Sequence, residues 1–367
     1  MQVFDRLGAE FEQVVACHEP SVGLRAIIAI HSTALGPSLG GTRFYPYRSE
    51  DQAMEDVLRL AQGMTYKSAA AGLDLGGGKA VILGDPATVK TEALLRTYGQ
   101  FVESLSGRYI TAEDVGTTQA DMDTIFSETA NVTGISDALG GSGDPSAATA
   151  YGVWWALKAV RQVLDGTDEL AGLRVVVSGV GKVGSRLVGR LVGDGAVVTV
   201  ADVNDAAVAA VLAGHGVAAV PVDEAHQVKC DVFSPCALGG VITERVIGEL
   251  QCRAVAGAAN NQLAAPEDGR RLAERGIVYA PDFVVNAGGV INITDELAGF
   301  EGGYDQERAY ARVRGVYDTT LRVLQKAAET GTPANQIAEA LAERRLAEAA
   351  TGAPRIRTFT GTARRQQ

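Results

Sequence analysis

Three charged side chains in the first third of the chain stand where they could move a proton. Lys67 lies in the segment MTYKS, Lys79 directly follows three glycines, and Asp114 follows a short apolar segment. Most lysines are solvated surface charges, but both of these lie among small and apolar residues. A lysine partly removed from water has a lowered pKa and can act as a base near neutral pH. Taken alone, Lys79 fits a surface position as well as a functional one, and Asp114 could equally cap a helix.

A second chemical feature is a glycine-rich turn at residues 179–184, GVGKVG, which fits G-x-G-x-x-G. The apolar segment Val175–Val177 precedes it, a helical pattern follows it, and a further apolar segment, Val197–Val200, leads to Asp202. This order of strand, glycines, helix, strand and acid is the dinucleotide-binding fingerprint. The alternative is an ordinary turn that happens to be rich in glycine. The fingerprint predicts a cofactor site formed by Gly179, Val180, Gly181, Lys182, Val183, Gly184 and Asp202.

The surroundings of Asp202 favour NAD over NADP as the cofactor. A carboxylate at this position accepts hydrogen bonds from the adenosine ribose. Asn204 and Asp205 follow it, and no arginine stands beside them. A 2′-phosphate would therefore meet negative charge.

Composition excludes several classes of partner. The chain has 367 residues and a net charge of −11, which argues against nucleic acid or an anionic membrane surface. The N-terminal segment carries acidic residues among its apolar ones, unlike a signal peptide. No segment approaches the roughly 20 apolar residues of a membrane span. We therefore expect a cytoplasmic protein.

The cysteines and histidines indicate no metal site. The four cysteines, Cys17, Cys230, Cys236 and Cys252, are scattered and form no C-x-x-C pair, so we expect reduced, mostly buried thiols. The four histidines show no ligand spacing.

The elements that would carry these groups indicate an α/β protein of two domains. In the first part, Leu24–Ile30 is predicted as a strand, Leu35–Tyr47 as a loop, and Ser49 as the cap of a helix. Thr91–Leu105 is predicted as an amphipathic helix, and Arg108–Thr111 as a strand leading to Asp114. In the second part a helix begins at Ser146, and six apolar segments alternate with helical ones. These segments are Val175–Val177, Val197–Val200, Val217–Val220, Asp231–Phe233, Ala254–Gly257 and Ile277–Tyr279.

This alternation predicts a doubly wound parallel sheet, the Rossmann arrangement. We expect residues 1–140 to form a substrate-binding and oligomerisation domain and residues 141–330 the NAD domain, with a cleft between them. The final helical patterns, Tyr310–Thr330 and Pro333–Ala350, precede a polar tail. The segment 331–367 is expected to pack back onto the first domain.

The chain resembles the glutamate/leucine/phenylalanine/valine dehydrogenase family, and its branched-chain members most. Seven stretches in family order carry the resemblance: LGPSLGGTRF (35–44), GMTYKSAAAGLDLGGGKAV (63–81), YITAEDVGT (109–117), VSGVGKVG (177–184), SPCALGG (234–240), VAGAANNQL (255–263) and YAPDFVVNAGGVIN (279–292). The resemblance implies an NAD-dependent oxidative deamination of an amino acid. It also implies a homo-oligomer, a dimer or larger.

The resemblance also implies roles for individual residues. Lys67 matches the lysine that binds the substrate carboxylate, Lys79 the lysine that activates the attacking water, and Asp114 the carboxylate that takes part in proton transfer. Asn286 matches an asparagine that helps to position the substrate. The expected contacts on the nicotinamide side are Thr149, Ala259, Asn260 and Asn261.

Substrate preference is expected to follow from a pocket lined by apolar residues. Glutamate-specific members place a lysine at the position of Leu39, just before Gly40, and a serine at the position of Ile293. With apolar residues there, a substrate γ-carboxylate would have no partner. The implied pocket of Leu39, Gly40, Ala112, Val290 and Ile293 suits valine, leucine or isoleucine. Phenylalanine or another aromatic substrate is the alternative, and a non-catalytic NAD-binding protein is a third reading.

Overall fold

The computed structural model describes residues 10–297 and 303–351 of the chain. The chain divides into two units. Unit 1 comprises the described parts of Met1–Asp144, Ile293–Gln306 and Ala342–Gln367, and unit 2 comprises those of Pro145–Asn292 and Glu307–Leu341. The predicted polar tail, and the end of the segment 331–367, lie outside the described residues.

Unit 1 is built around a mixed five-stranded sheet. Its strands are β1 (Gln13–Glu19), β2 (Leu24–Ser32), β3 (Ser38–Tyr45), β4 (Gly76–Leu83) and β5 (Tyr109–Glu113), in the order β1-β2-β4-β3-β5. β2 is antiparallel to β1 and β4, whereas β3 is parallel to β4 and β5. Its helices are α1 (Glu50–Ala70), α2 (Pro86–Val89), α3 (Glu92–Ser104) and α4 (Gln119–Phe126). The carboxyl ends of β3, β4 and β5 therefore lie at one edge.

Helices cover both faces of this sheet. On one face α1 packs its buried Ala53, Val57 and Ala61 against Ile27, Ala29 and Val81. On the other face α3 and α4 pack against a cluster that includes Ile28, Phe44 and Ile82. Because side chains alternate along a strand, Lys79, two residues before Val81, points toward the face that α1 covers. The sheet thus directs one charged side chain beneath a helix.

The predicted capping of α1 is confirmed. The Ser49 hydroxyl accepts a hydrogen bond from the Gln52 amide at 3.1 Å, while the Gln52 side chain accepts one from the Arg48 amide. The helix continues for 21 residues, to Ala70. Lys67 consequently lies in its last turn.

The predicted loop at Leu35–Tyr47 is wrong, because most of it is the strand β3. The glycines that indicated a loop are instead places where buried strands approach closely. A Cβ atom at Gly40 would lie 1.7 Å from the Gly78 carbonyl oxygen, and one at Gly41 would lie 2.6 Å from that of Glu113. Glycine here makes room inside the sheet.

Unit 2 contains a six-stranded sheet in which every pairing is parallel. Its strands are β6 (Arg174–Ser178), β7 (Val197–Ala201), β8 (Ala218–Ala219), β9 (Val232–Pro235), β10 (Ala254–Val255) and β11 (Val278–Tyr279), in the order β11-β10-β9-β6-β7-β8. The order reverses at β6, which is the doubly wound topology. The sequence-based prediction of six strands in a parallel sheet is confirmed.

The helices that belong to or border unit 2 are α5 (Ser146–Asp165), α6 (Lys182–Gly193), α7 (Asp205–His215), α8 (Glu244–Glu249), α9 (Asp268–Glu274), α10 (Asp282–Val285), α11 (Gly288–Asp295), α12 (Gln306–Val313), α13 (Gly315–Thr330) and α14 (Ala334–Ala350). The single helix predicted over Tyr310–Thr330 is therefore interrupted at Arg314, next to Gly315, a poor helix former. The tryptophans of α5 lie in an aromatic cluster, in which Tyr151 stacks on Trp154 and on Tyr310 and Trp154 contacts Trp155.

Candidate active site

Lys79 and Asp114 form an ion pair in unit 1. Lys79 lies within β4 and Asp114 directly follows β5, and the Lys79 Nζ atom is 3.1 Å from Asp114 Oδ2. Strand β3 runs between them, and its register places Gly41 level with Lys79. Since Gly41 has no side chain, the lysine can cross β3 to reach the carboxylate. The structure thus brings together the two residues predicted to be catalytic.

Two further residues complete this cluster, and the sequence reasoning missed both. Arg43 of β3 donates through Nε to the same Asp114 Oδ2 at 2.9 Å, and through Nη1 to Asp56 Oδ2 of α1 at 2.8 Å. The Tyr47 hydroxyl also donates to Asp56 Oδ2, at 2.6 Å. The cluster therefore alternates cation and anion from Lys79 to Asp56.

Burial and charge set the acid–base properties of the pair. Lys79 is 5% exposed, and its burial, together with the positive charge of Arg43, lowers its pKa despite the opposing effect of Asp114. Burial alone would raise the pKa of Asp114, but the Lys79 and Arg43 cations outweigh it and hold that pKa below its usual range. A carboxylate that stays ionised beside a lysine that releases its proton readily is suited to proton transfer.

Lys67 is half-buried in the last turn of α1, on the helix that covers the Lys79 face. Residues of α14 hold this turn in place. Arg345 Nη1 donates to the Ala69 carbonyl at 3.1 Å, and the Tyr66 hydroxyl donates to Glu343 at 3.2 Å. The last carbonyls of a helix need such donors, so α14 fixes the backbone that carries Lys67.

The glycine turn of unit 2 has the geometry that each glycine of the fingerprint needs. Gly179 has a φ of 105°, which an L side chain rarely adopts. A Cβ atom at Gly181 would meet nothing within 4 Å, so the backbone there is open to a ligand. A Cβ atom at Gly184 would lie 1.9 Å from the Gly179 carbonyl oxygen. Helix α6 begins next, at Lys182, and Gly181 offers no side-chain cap, so its first amides face the turn.

Asp202 follows β7 and contacts the glycine turn directly. Its Oδ2 accepts a hydrogen bond from the Val180 amide at 2.7 Å, and its Oδ1 accepts one from the Asn204 amide at 2.8 Å. Each carboxylate oxygen keeps a second lone pair, which a ribose hydroxyl could use. Val183 lies in the first turn of α6, half-buried, between the two ends of the fingerprint.

Asn286 presents a buried polar atom that has no partner within residues 10–297 and 303–351. It lies between α10 and α11, and its Nδ2 donates to the Ala258 carbonyl at 3.1 Å and to Asn260 Oδ1 at 2.8 Å. The residue is 5% exposed, and its Oδ1 has no hydrogen-bond partner among the residues that the structure describes. Leaving such an atom unpaired is costly, which points to a ligand that donates there.

The residues predicted to contact the nicotinamide lie on two other segments of unit 2. Ala259 donates its amide to the Pro235 carbonyl at the end of β9, and Asn261 adopts a left-handed backbone with a φ of 50°. Thr149 lies in the first turn of α5, and a Cβ atom at Gly289 would be 2.5 Å from its hydroxyl. Thr149 therefore packs against the start of α11.

The residues predicted to contact the substrate side chain are apolar and buried where the structure places them. Leu39 and Ala112 lie on β3 and β5 of unit 1, with Gly40 next to Leu39. Val290 and Ile293 lie on α11, three residues apart and so on one face of that helix.

The described residues form neither a metal-binding cluster nor a membrane-spanning helix. Among residues 10–297 and 303–351, no group of three or more histidine, cysteine, aspartate or glutamate side chains is arranged to hold a metal ion. Within the same ranges, no helix combines the length and apolar character needed to cross a membrane.

Comparison with known proteins gives a match over both units. Residues 11–131 match the Glu/Leu/Phe/Val dehydrogenase dimerisation domain, and residues 140–211 and 206–352 match the Glutamate/Leucine/Phenylalanine/Valine dehydrogenase domain. The chain belongs to the Glu/Leu/Phe/Val dehydrogenase family. The family predicted from the seven sequence stretches is thereby confirmed.

Individual members of the family are similar over nearly their full length. The chain is 50% identical to a leucine dehydrogenase of Thermoactinomyces intermedius over 347 residues, 94% of each protein. It is 51% identical to a valine dehydrogenase of Streptomyces coelicolor over 341 residues, 92% of this chain and 93% of that one. Among solved structures, the L-tryptophan dehydrogenase of Nostoc punctiforme aligns with a TM-score of 0.80 at 41% identity, covering 93% of this chain and 97% of that one.

Within this family member, a local signal for the missed residues does exist. Arg43 lies in LGPSLGGTRF, two residues after Gly41, and so on the same strand face once β3 is recognised as a strand. Asp56 lies three residues after the buried Ala53, at the edge of the inner face of α1. Interpreting β3 as a loop concealed Arg43, and without Arg43 nothing marked Asp56 as its partner.

Proposed function

We propose that this protein catalyses the reversible, NAD-dependent oxidative deamination of a branched-chain L-amino acid to its 2-oxo acid and ammonia. The buried Lys79–Asp114 pair, with its 3.1 Å contact, carries the proposal, because deamination needs a base that works near neutral pH. Similarity of about 50% to leucine and valine dehydrogenases over most of the chain supports it.

In this proposal each charged residue of unit 1 has a defined task. Lys67 binds the α-carboxylate of the substrate. The glycine turn and Asp202 would hold NAD, which would supply the acceptor for the hydride that leaves the substrate Cα. Neutral Lys79 takes a proton from the water that attacks the imine carbon, and Asp114 relays protons between Lys79 and the nitrogen that leaves as ammonia. The cationic groups stabilise the oxyanion that develops, an effect commonly worth several kcal/mol.

The residues of unit 2 fit NAD as the cofactor. The open backbone at Gly181 and the uncapped start of α6 suit a pyrophosphate, and Asp202 suits the ribose hydroxyls. Asn286 Oδ1, which has no hydrogen-bond partner in the described part of the chain, would accept a hydrogen bond from the substrate. Thr149, Ala259, Asn260 and Asn261 would be contacts on the nicotinamide side. A further support is the parallel sheet whose strand order reverses at β6.

The charge of Asp202 provides a test of cofactor selectivity. We expect kcat/KM with NAD to exceed that with NADP by about 100-fold or more, because a 2′-phosphate beside this carboxylate is repelled. The variant Asp202→Asn retains the size of the side chain but lacks the charge, and its single amide oxygen can accept from only one of the Val180 and Asn204 amides. It should narrow the ratio at least tenfold. Asp205→Asn removes the next acidic charge along the chain, which is exposed, and should narrow the ratio less than Asp202→Asn does. Equal rates of the unmodified enzyme with both cofactors would contradict the assignment.

The apolar character of Leu39, Ala112, Val290 and Ile293 underlies the proposed substrate preference. None of the four could pair with a γ-carboxylate, whose burial without a partner is costly. Discrimination between aliphatic side chains is weaker, since one methylene contributes only about 1–3 kcal/mol. The similarity to an L-tryptophan dehydrogenase keeps aromatic substrates as the second candidate.

A substrate panel tests the proposal as a whole. Purified protein with NAD should reduce the cofactor with L-leucine, L-valine or L-isoleucine, and kcat/KM for these should exceed that for L-phenylalanine, L-tryptophan and L-glutamate. A higher value for an aromatic amino acid would favour the aromatic alternative. Tight NAD binding without turnover of any amino acid would indicate a non-catalytic NAD-binding protein and refute the proposed activity.

We also propose that the chain works as a cytoplasmic homo-oligomer with a small-molecule substrate as its partner. The match of residues 11–131 to a dimerisation domain supports the oligomer. Light scattering of the purified chain measures its mass in solution, and a strictly monomeric active enzyme would disprove it.

A further inference from the structure

Arg43 occupies the centre of the charged cluster, yet the proposed reaction assigns it no task. Its guanidinium lies between two carboxylates, with Nε 2.9 Å from Asp114 Oδ2 and Nη1 2.8 Å from Asp56 Oδ2. Its side chain is only 22% exposed. Nε of the planar guanidinium therefore contacts the residue that follows β5, and Nη1 contacts helix α1.

Asp56, one of the two carboxylates that Arg43 joins, is held by further hydrogen bonds. Asp56 Oδ2 also accepts the Tyr47 hydroxyl at 2.6 Å, and its Oδ1 accepts Arg59 Nη2 at 2.8 Å. These contacts, with Arg43, hold the pKa of Asp56 below its usual range although burial alone would raise it. An ionised Asp56 held by these three contacts orients the guanidinium, and the guanidinium in turn orients Asp114. An ammonium group, which lacks the planar fork, could not make both contacts with the same geometry.

Arg43 also shares its acceptor atom with Lys79. Both cations contact Asp114 Oδ2, so their nitrogens lie within about 6 Å of each other. When two cations share one carboxylate oxygen, each repels the other, and this repulsion disfavours the charged form of Lys79. Lys79 therefore releases its proton more readily than it would if Asp114 were its partner alone.

Other titratable groups lie near Lys79 and Arg43. Among the described residues, α1 contributes Asp56, Arg59 and Lys67 on or beside this face, and β2 contributes His31, whose burial lowers its pKa and favours the neutral ring. The Arg59 side chain is 53% exposed, and from the solvent side it partly neutralises the charge of Asp56. Of the two arginines bound to Asp56, Arg43 is the one that also contacts Asp114.

We propose that Arg43 is a positioning residue for the deamination: it holds Asp114 Oδ2 in place for Lys79 and, by sharing that oxygen, keeps Lys79 able to act as a base near neutral pH. This inference rests on the proposed function. It assigns Asp56 and Tyr47 as the support that keeps Arg43 in its position.

The test is the pH dependence of kcat for oxidative deamination with L-leucine and NAD. Arg43→Gln removes the positive charge, so the Lys79 ammonium becomes more stable and neutral Lys79 appears only at higher pH. The acidic limb should therefore move to higher pH by about one to two units, with a fall in kcat of about tenfold or more at pH 8. A limb that stays within about 0.3 units of the original would overturn the proposal.

Two further variants separate charge, geometry and folding. Arg43→Lys retains the charge but not the fork, so the limb should return close to its original pH while kcat remains lowered. This variant also decides the question if Arg43→Gln fails to fold, since a limb displaced to higher pH despite the retained charge would overturn the proposal. Arg59→Gln, which removes the other cation bound to Asp56, should leave the limb unchanged, and a shift as large as that of Arg43→Gln would count against the assignment.

An activity-independent measurement distinguishes this inference from the proposed function. Trace acetylation of the intact protein with acetic anhydride across a pH series, read by mass spectrometry of the Lys79 peptide, follows the titration of that amine directly. Arg43→Gln should displace this titration to higher pH, and an unchanged titration would refute the inference. If the unmodified protein deaminates no amino acid, the proposed function fails, while the acetylation series still decides whether Arg43 controls Lys79.

Discussion

Replacement of Lys79 by alanine should lower kcat for oxidative deamination by about 10³-fold or more while leaving NAD binding nearly unchanged. Lys79 is the buried amine that would take a proton from the attacking water, and losing a general base commonly costs 10²- to 10⁴-fold in rate. It also contributes positive charge where the oxyanion develops. The proposed cofactor site, on the glycine turn and Asp202, belongs to unit 2, so the dissociation constant for NAD should change by less than about twofold.

The fold should survive this substitution, which makes the rate measurement interpretable. Asp114 keeps the Arg43 Nε contact at 2.9 Å after Lys79 is removed, so no buried carboxylate is left unpaired. Lys158→Ala is a matched control, because this lysine is also mostly buried and lies 3.5 Å from an aspartate, Asp194, but in unit 2. Steady-state kinetics with L-leucine and calorimetric titration with NAD provide the two readouts. Retention of more than a tenth of kcat in Lys79→Ala would disprove its role as the base.

The parts of the fold that the sequence predicted are those specified by local patterns. The strand, glycine turn and helix from Arg174 to Gly193 lie side by side in the chain, so composition and spacing indicate them directly. The Ser49 cap and the inner face of α3 are equally local. The strand β3 was missed because Gly40 and Gly41 are typical of loops when seen alone. Their need for close strand contact becomes visible only once Gly78 and Glu113 are seen beside them.

In the candidate site, too, local sequence indicates some features and only the tertiary structure reveals the others. Lys79 and Asp114 could be named individually, from their surroundings and from the family resemblance, but their contact depends on the order β4-β3-β5 in the sheet. No periodicity in the chain encodes that order. Arg43 joins the pair for the same reason, since a residue of β3 meets a residue that follows β5 only when the two strands are parallel neighbours. Sequence reasoning thus named the two candidate reacting groups, and tertiary structure was needed to find the residues proposed to position them.

Replacement of Asp114 by asparagine should lower both kcat for oxidative deamination and the free energy of unfolding. The amide retains the shape of the side chain but cannot carry a proton between Lys79 and the departing nitrogen, so we expect kcat to fall by about 10²- to 10³-fold. It also leaves the Lys79 and Arg43 cations, which now share Oδ2, without their common counter-charge. Breaking a buried ion pair by removing one partner typically costs about 3 kcal/mol of unfolding free energy.

The pH dependence of that stability difference has a definite sign. The Lys79 and Arg43 cations hold the pKa of Asp114 below its ordinary value of 3.8 in the folded protein, so the stabilisation is present above that pH and is lost as the pH falls through the folded pKa. The difference in unfolding free energy between the unmodified protein and Asp114→Asn should therefore be largest near neutral pH and shrink below about pH 4. Urea unfolding at a series of pH values measures it.

Asp121→Asn controls for the general cost of removing a buried carboxylate. Asp121 is 12% exposed and pairs with Lys90 at 2.7 Å in the same unit, so its loss should lower stability without a comparable fall in kcat. Loss of rate in Asp114→Asn alone would separate the chemical role of Asp114 from its structural one. If instead both variants lost activity in proportion to their stability, Asp114 would be no more than a structural ion-pair partner, and the proton-transfer role proposed for it would be wrong.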